Sequence, residues 1–438
     1  MKKIYFLFLI FTVFILTFSC EVSNDNDNTI KNNDSINIVN VTPKALLAPV
    51  YGEDDQAFKT AADGANDFAF RLSAALAENA GNENFVFSPY SVWMPLAALV
   101  NATNTQHKAT LLAALGAAGI SQDDVNKTAS RMLYNLTKER DKGAEGYYNP
   151  LKITSAVFVG KNVTLRKEFA QDFMDFYRGS SINVDFSSRN AVDAVNRWAS
   201  ENTGGLITNL VQKFDPLTVA VIANAIYFSD DWKWKFDKEE TEERVFHAPT
   251  GDTTACYMLH DGSNQRYYED EKVQAICLDF KHNGGMYIML PREGGAQELL
   301  SSMTNDYFKK INFDLAEGKL LLPRFSIEND IKGLKEALKL LGVPLFDKES
   351  APLTGGLIKE NIPICLTDAI QKAVIKVDEK GTTAAAVTLM IAGATSAGPQ
   401  PNKPFEMICD KPFVFILYEH TNDGGKQILF TGMVNKPE

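Results

Sequence analysis

A long uncharged segment near the C-terminus places the strongest constraint on how this chain can fold. Residues 373–377 read as an apolar strand, residues 378–380 as a charged turn, and residues 381–398 then carry no charge at all. Surface loops usually hold polar and turn-forming side chains. Here small and apolar side chains dominate, so an extended form could enter a packed sheet without burying a charge. The pattern predicts a segment able to become a central strand, although an ordinary buried strand, or a helix through the alanines at 384–386, also fits.

The N-terminus has the pattern of an export signal. Two lysines precede an apolar, uncharged run over residues 4–18, which Ser19 and Cys20 follow. A run of about 15 residues is short for a membrane-spanning helix, which requires about 20. We predict a signal peptide over residues 1–19. The end of the run resembles a bacterial lipobox, which makes Cys20 a predicted lipidation site; a plain signal peptide or a membrane anchor is the alternative.

A tether and one large domain are predicted to follow. Residues 21–44 are dominated by Asn and Asp, with little to bury and no regular period, so residues 20–55 are assigned to the lipidated cysteine and a flexible tether. Residues 56–438 alternate helical and strand-like patterns without an internal repeat, which predicts a single mixed α/β domain. The clearest predicted elements are helices through Phe68, Leu72 and Leu76 and through Ile331, Leu334, Leu338 and Leu341, strands at 153–159, 218–228, 286–290 and 413–417, and a C-terminal hairpin turning at 422–425.

Composition excludes some classes of protein. Asp and Glu total 55 against 44 Lys and Arg, a net charge of −11, whereas a nucleic-acid-binding protein needs a basic face. Five cysteines in 438 residues are too few for a disulfide scaffold. The cysteines beyond Cys20 are widely spaced and are expected to be buried free thiols, with a disulfide left open; they are Cys256, Cys277, Cys365 and Cys409.

The motifs of common enzymes are missing from the sequence. There is no Gly-x-Ser-x-Gly elbow, no His-Glu-x-x-His and no phosphate-binding loop, and the five histidines show no metal-ligand spacing. We therefore expect neither an enzyme nor a bound cofactor or metal. An envelope hydrolase or glycan-binding protein would need a catalytic cluster or an aromatic platform, and the four tryptophans form no obvious platform; they are Trp93, Trp198, Trp232 and Trp234.

Six motifs in order resemble those of one family, the serpins. Residues 379–386 resemble the hinge of a serpin reactive-centre loop. The others are residues 84–91, 203–207, 224–228 with Trp232 after them, 322–326 and 430–437. The resemblance extends over about residues 56–438. It implies an α/β serpin fold with three β-sheets, about nine helices and an exposed reactive-centre loop.

The resemblance also implies an activity, the suicide inhibition of proteases. The target cleaves the exposed loop and forms an acyl-enzyme, and the loop then inserts as a new strand in the central sheet. The hinge begins at Glu379 and continues with residues that give backbone freedom or little steric bulk, namely Gly381, Thr382, Thr383, Ala384, Ala385 and Ala386. Because they include no bulky or charged side chain beyond Glu379, we predict an inhibitory serpin. The alternative is a non-inhibitory binding protein of serpin fold that proteases only cleave.

A second group of residues is implied to control the opening of the sheet. This latch consists of Ser88, Ser91, Asn224 and Gln371, with Trp232 near the point of insertion. Many serpins have a histidine at the position of Gln371. An amide still donates and accepts hydrogen bonds, so we expect Gln371 to bond to the other latch residues. Without the histidine, we expect this hydrogen-bond network to lose its pH sensitivity.

The expected scissile bond is Thr395–Ser396, by the usual spacing from Glu379. The loop is longer than in a typical serpin, so cleavage at other positions stays open. Thr395 or Ala394 would suit an elastase-like protease and Met390 or Leu389 a chymotrypsin-like one, while Lys403 would suit a trypsin-like protease if Pro404 did not hinder it.

The expected partners are target serine or cysteine proteases, with elastase-like or chymotrypsin-like enzymes favoured. We expect a monomer that binds no nucleic acid and contacts a membrane through its lipid anchor alone. The predicted location is the bacterial outer membrane or cell surface, or the extracellular space.

Overall fold

A computed structural model of the chain describes residues 10–20, 55–138, 140–141, 147–148, 150–380, 404–421 and 424–437. Within these residues the predicted mixed α/β fold is confirmed, with nine α-helices and three β-sheets. The helices are α1 (Gln56–Ala80), α2 (Pro89–Leu99), α3 (Thr105–Ala114), α4 (Gln122–Thr137), α5 (Lys167–Tyr177), α6 (Arg189–Asn202), α7 (Ala296–Ser302), α8 (Asn305–Lys310) and α9 (Leu334–Leu340).

Seventeen strands form the three sheets. They are β1 (Ile10–Cys20), β2 (Phe85–Phe87), β3 (Arg140–Asp141), β4 (Tyr147–Tyr148), β5 (Leu151–Gly160), β6 (Gly179–Val184), β7 (Thr218–Phe228), β8 (Glu242–Ala248), β9 (Gly251–Glu269), β10 (Val273–Asp279), β11 (Gly285–Pro291), β12 (Asp314–Pro323), β13 (Phe325–Asp330), β14 (Ile364–Val377), β15 (Phe405–Ile408), β16 (Phe413–His420) and β17 (Lys426–Val434).

The central sheet has six strands, in the order β13-β14-β1-β7-β5-β6. A second sheet has the order β15-β12-β9-β10-β11-β16-β17-β2, with β8 paired to β9, and a third consists of β3 and β4. The predicted strands lie within β5, β7, β11 and β16, and β16 pairs with β17 in the expected antiparallel hairpin.

The helical period of the sequence corresponds to the buried face of α1. Phe68, Leu72 and Leu76 are at most 1% exposed. The helix begins where the carboxylate of Asp55 accepts a hydrogen bond from the backbone N–H of Phe58, which satisfies one of the free donors at the helix start. Every residue of α2 is buried, because this helix lies in the core between the two large sheets.

Both faces of the central sheet are covered. Along β7, Ile222 and Ile226 belong to the main core with α1 and α2. The alternating residues Val221 and Ala223 belong instead to a second cluster, together with Trp198 of α6. A strand in the middle of this sheet is therefore enclosed on both sides, and an unpaired charge there would be costly.

The N-terminal apolar run forms an unexpected element, the strand β1. The sequence predicts an export signal there, and the structure pairs Ile10–Cys20 with two strands of the central sheet. The predictions of a signal peptide and of lipidation at Cys20 stay predictions. Among the described residues, no helix has the length and apolarity needed to cross a membrane.

Candidate functional site

The candidate site is a slot in the central sheet between β7 and β14. Both strands are antiparallel to β1, so they run parallel to each other. Each forms its ladder hydrogen bonds on this side with β1, which lies between them. The slot holds a strand of 11 residues, which is about 36 Å long at about 3.3 Å per residue. Its upper end lies at Ile375 and Phe228, and its lower end at Ile364.

The predicted hinge begins at the upper end of the slot, where β14 ends. The indole Nε1 of Trp232 donates to the carbonyl of Asp378 at 2.9 Å, and the backbone N–H of Trp232 donates to the carbonyl of Lys380 at 3.3 Å. The indole stacks on the ring of Phe280, with centroids 5.1 Å apart, and is only 2% exposed. Trp232 thus fixes the first turn of the chain that leaves β14.

The carboxylate of Glu379 anchors the same turn. It accepts hydrogen bonds from the guanidinium of Arg324, with Nε at 2.7 Å, and from the hydroxyl of Thr241 at 2.6 Å. Burial alone would raise the pKa of Glu379, but these hydrogen bonds outweigh burial, so its pKa lies below the ordinary value. The hinge is therefore held by a charged side chain as well as by backbone bonds.

Two latch residues, Gln371 of β14 and Ser88 at the start of α2, are hydrogen-bonded to each other. The side-chain oxygen of Gln371 accepts from the backbone N–H of Ser88 at 3.0 Å, and its amide donates to the carbonyl of Ser88 at 3.0 Å. Ser88 also caps α2, because its hydroxyl accepts from the backbone N–H of Ser91 at 3.2 Å. The amide of Gln371 thus uses both of its hydrogen-bonding atoms on the start of α2.

The other two latch residues meet beneath β7. The hydroxyl of Ser91 donates to Asn224 at 2.8 Å, and the amide of Asn224 donates to the hydroxyl of Ser155 on β5 at 3.0 Å. The four latch residues are fully buried. Phe14 of β1 lies in register between Gln371 and Asn224, so the start of α2 connects the two halves of the latch across the slot.

Some site residues were missed in the sequence, and others lie outside the described part of the chain. Ser155 and Thr241 belong to no motif, and Arg324 lies in a motif that does not reveal its role. The predicted bond Thr395–Ser396 and residues 381–386 of the hinge lie outside the described residues.

The expectation of buried free thiols is confirmed for Cys277 and Cys409. Cys256 is a free thiol but only half-buried, and Cys365 is buried. No group of three or more His, Cys, Asp or Glu side chains that could hold a metal is found in the part of the chain that the structure describes.

Comparison with known proteins agrees with this architecture. The family described as Serpin (serine protease inhibitor) matches residues 63–437. The chain belongs to the serpin family. An uncharacterized serpin-like protein of Thermococcus kodakarensis is 31% identical, over 85% of each chain. A plasma serine protease inhibitor of Bos taurus is 28% identical, over 87% of this serpin and 92% of the bovine protein.

Solved structures show the same fold. The native stressed conformation of a serpin from Arabidopsis, AtSerpin1, superposes with a TM-score of 0.72 at 25% identity, over 88% of this serpin and 100% of that chain. The strand β1 ends before the first residue that the family match covers. The slot and hinge thus belong to the serpin part of the chain, and the strand that fills the slot does not.

Proposed function

We propose that this serpin is a suicide inhibitor of serine or cysteine proteases and not an enzyme. The observation that carries the proposal is the slot between β7 and β14, which accepts a complete antiparallel strand and has the first hinge residue, Glu379, at its upper end. The uncharged residues 381–398, which begin with the rest of the hinge, follow Lys380 directly. A loop that enters the slot would gain ladder hydrogen bonds on both edges and would bury apolar area at about 25 cal/mol per Å².

The proposed trapping step follows the chemistry of acyl transfer. The target's nucleophile attacks the carbonyl carbon of Thr395, the peptide bond breaks, and the amine of Ser396 leaves with the proton that the nucleophile gave up. An ester or thioester then joins the protease to the loop. The loop enters the slot before water hydrolyses that bond, and the inserted strand carries the protease away from its attacking geometry.

The loop sequence favours proteases with small or apolar specificity pockets. Thr395 and Ala394 suit an elastase-like pocket, and Met390 or Leu389 a chymotrypsin-like one. We further propose that the exported chain is anchored by a lipid at Cys20 on a bacterial envelope, where it inhibits proteases that arrive from outside.

The experiment tests the exported, processed chain against an elastase-like and a chymotrypsin-like protease. We expect a covalent complex on denaturing gels, and mass spectrometry of the released peptide locates the bond that was cut. Cleavage without any covalent complex would overturn the proposal. The melting temperature of the cleaved chain then identifies the alternative, because a non-inserting loop leaves it unchanged.

A pair of substitutions isolates the insertion step. Thr382→Arg places a charge in the part of the loop that enters the sheet first, so it should convert the inhibitor into a substrate. Asn402→Arg adds the same side chain beyond the expected cleavage site and should leave complex formation intact. Equal complex formation by both variants would contradict insertion of the hinge.

A further inference from the structure

The strand β1 occupies the slot that the proposed function reserves for the loop. It pairs with β14 from Ile10 opposite Ile375 to Cys20 opposite Ile364. On its other edge it pairs with β7 from Phe228 down to Thr218. The pairing covers the whole of β7 and most of β14, with one register shift on each edge, so β1 is a full member of the sheet.

The chemistry of this segment suits the slot. Residues 10–20 contain no charged side chain, and neither do residues 381–398 of the loop. Because both faces of the central sheet are covered, an uncharged strand is the kind of occupant that the slot admits without a large desolvation cost. The two segments share the property that insertion requires.

The two segments cannot occupy the slot together. The loop leaves β14 beyond Lys380, at the upper end, and would run downward, antiparallel to β7 and β14. The strand β1 also begins at the upper end and runs downward, antiparallel to both. One strand fits between β7 and β14, so the presence of β1 excludes loop insertion.

We propose that residues 10–20 of the unprocessed chain fill the slot and keep the precursor from trapping proteases. The occupancy of the slot by residues 10–20 rests on strand pairing alone. The loss of protease trapping rests in addition on the proposed inhibitory function. Residues 10–20 can either pair within the central sheet of the folded precursor or enter the export pathway and the membrane, but they cannot do both at once. A precursor that folds before export therefore does not inhibit the proteases of the producing cell. The slot opens when residues 10–20 are removed by processing or enter the membrane.

The structural half of the inference is tested by hydrogen exchange on the full chain. The chain is made by translation without membranes, so that residues 1–438 stay intact. Amides of residues 11–19 should exchange at least about 100-fold more slowly than those of an unstructured peptide. Phe14→Asp places a charge midway along β1, in register with Asn224 and Gln371, and should abolish that protection. Thr29→Asp, in the Asn- and Asp-rich segment, is the matched control and should retain it.

Exchange at unprotected rates in the full chain would overturn the inference. Should Phe14→Asp aggregate, Phe14→Pro provides a second variant, because proline removes a ladder hydrogen bond without adding charge. Either variant should lose protection of residues 11–19 while α1 and β17 keep theirs.

The functional half compares the same proteins after incubation with an elastase-like protease. The full chain and the Thr29→Asp control should be cleaved without forming a covalent complex, and their melting temperatures should not rise on cleavage. Phe14→Asp should form the complex and, once cleaved, melt at a higher temperature. If residues 11–19 of the full chain are protected and the chain still traps protease, occupancy of the slot does not prevent inhibition and this half of the inference is wrong. If no variant and no processed chain traps any protease, the proposed function fails while the exchange result still decides whether the segment occupies the slot.

Discussion

Arg324 and Glu379 form an ion pair at the upper end of the slot, between residues 55 positions apart in the sequence. The carboxylate side is 6% exposed and the guanidinium side 34% exposed. Arg324 follows directly after β12, so the pair connects the end of that strand of the second sheet to the first turn of the hinge. This ion pair restrains the chain just before the segment that we propose inserts into the slot.

Removing the arginine should release the hinge. Arg324→Ala leaves the buried carboxylate of Glu379 with Thr241 as its remaining side-chain donor, at a cost of about 2 kcal/mol after allowance for the exposed side of the pair. We expect a fall in Tm of about 3 °C by differential scanning fluorimetry. Arg244→Ala removes an exposed ion pair with Glu242 and is the matched control, expected to change Tm little. Identical Tm values for the two variants would contradict a structural role for the ion pair of Arg324 with Glu379.

The same pair should make the stability of the hinge depend on pH. The folded pKa of Glu379 lies below the ordinary 4.5, since Arg324 and Thr241 outweigh burial. Its stabilisation is therefore complete above pH 4.5 and is lost as the pH falls through the lowered folded pKa. The Tm difference between the native chain and Glu379→Gln should be largest near neutral pH and should shrink on acidification. A difference that stays constant from neutral to acidic pH would refute the assignment.

The sequence predicted the parts of the fold in which local pattern and burial agree. Phe68, Leu72 and Leu76 repeat at helical spacing because α1 presents one face to the core. The run at 218–228 is rich in β-branched and small apolar residues because β7 is enclosed on both faces. In each case the neighbours along the chain carry enough information to choose the element.

The strand β1 and the ion pair at Glu379 could not be predicted in this way. An uncharged apolar run suits a signal peptide, a membrane or the centre of a sheet, and the choice depends on a slot between β7 and β14, which are distant in sequence. Arg324 and Ser155 are ordinary polar residues in strand-like surroundings until the folded chain places Glu379 and Asn224 beside them. Such contacts depend on tertiary structure, which no local period encodes.

The latch should be sensitive to the loss of the Gln371 amide. Gln371→Leu leaves the backbone N–H and carbonyl of the fully buried Ser88 without their partner, which should cost about 2–4 kcal/mol for the two groups. We expect Gln371→Leu to unfold faster than the native chain in urea, as measured by tryptophan fluorescence. Gln56→Leu removes an exposed amide bonded to Thr60 and should leave the rate nearly unchanged. Equal unfolding rates in the two variants would exclude an energetic role for this half of the latch.

The free thiols should differ in reactivity. Burial raises the pKa of Cys277 to about 12 and raises that of Cys409 further, so neither forms the reactive thiolate at neutral pH. Cys256 is half-buried, and among the four cysteines beyond Cys20 it should be the first to react with a thiol reagent in the folded chain. Peptide mapping after brief alkylation checks this order, with the unfolded chain as the reference in which all should react. Early labelling of Cys277 or Cys409 in the folded chain would contradict the burial.

Trp232 should hold the hinge through its indole N–H as well as through its stacked ring. Trp232→Phe keeps an aromatic ring against Phe280 but removes the donor to the carbonyl of Asp378, a loss of about 1 kcal/mol that acts at the turn itself. Trp234→Phe is the matched control two residues away, because that side chain is 65% exposed. Amides of residues 377–380 should exchange several-fold faster in Trp232→Phe and at native rates in Trp234→Phe. Native rates in both variants would show that the backbone bonds and Glu379 hold the turn without the indole.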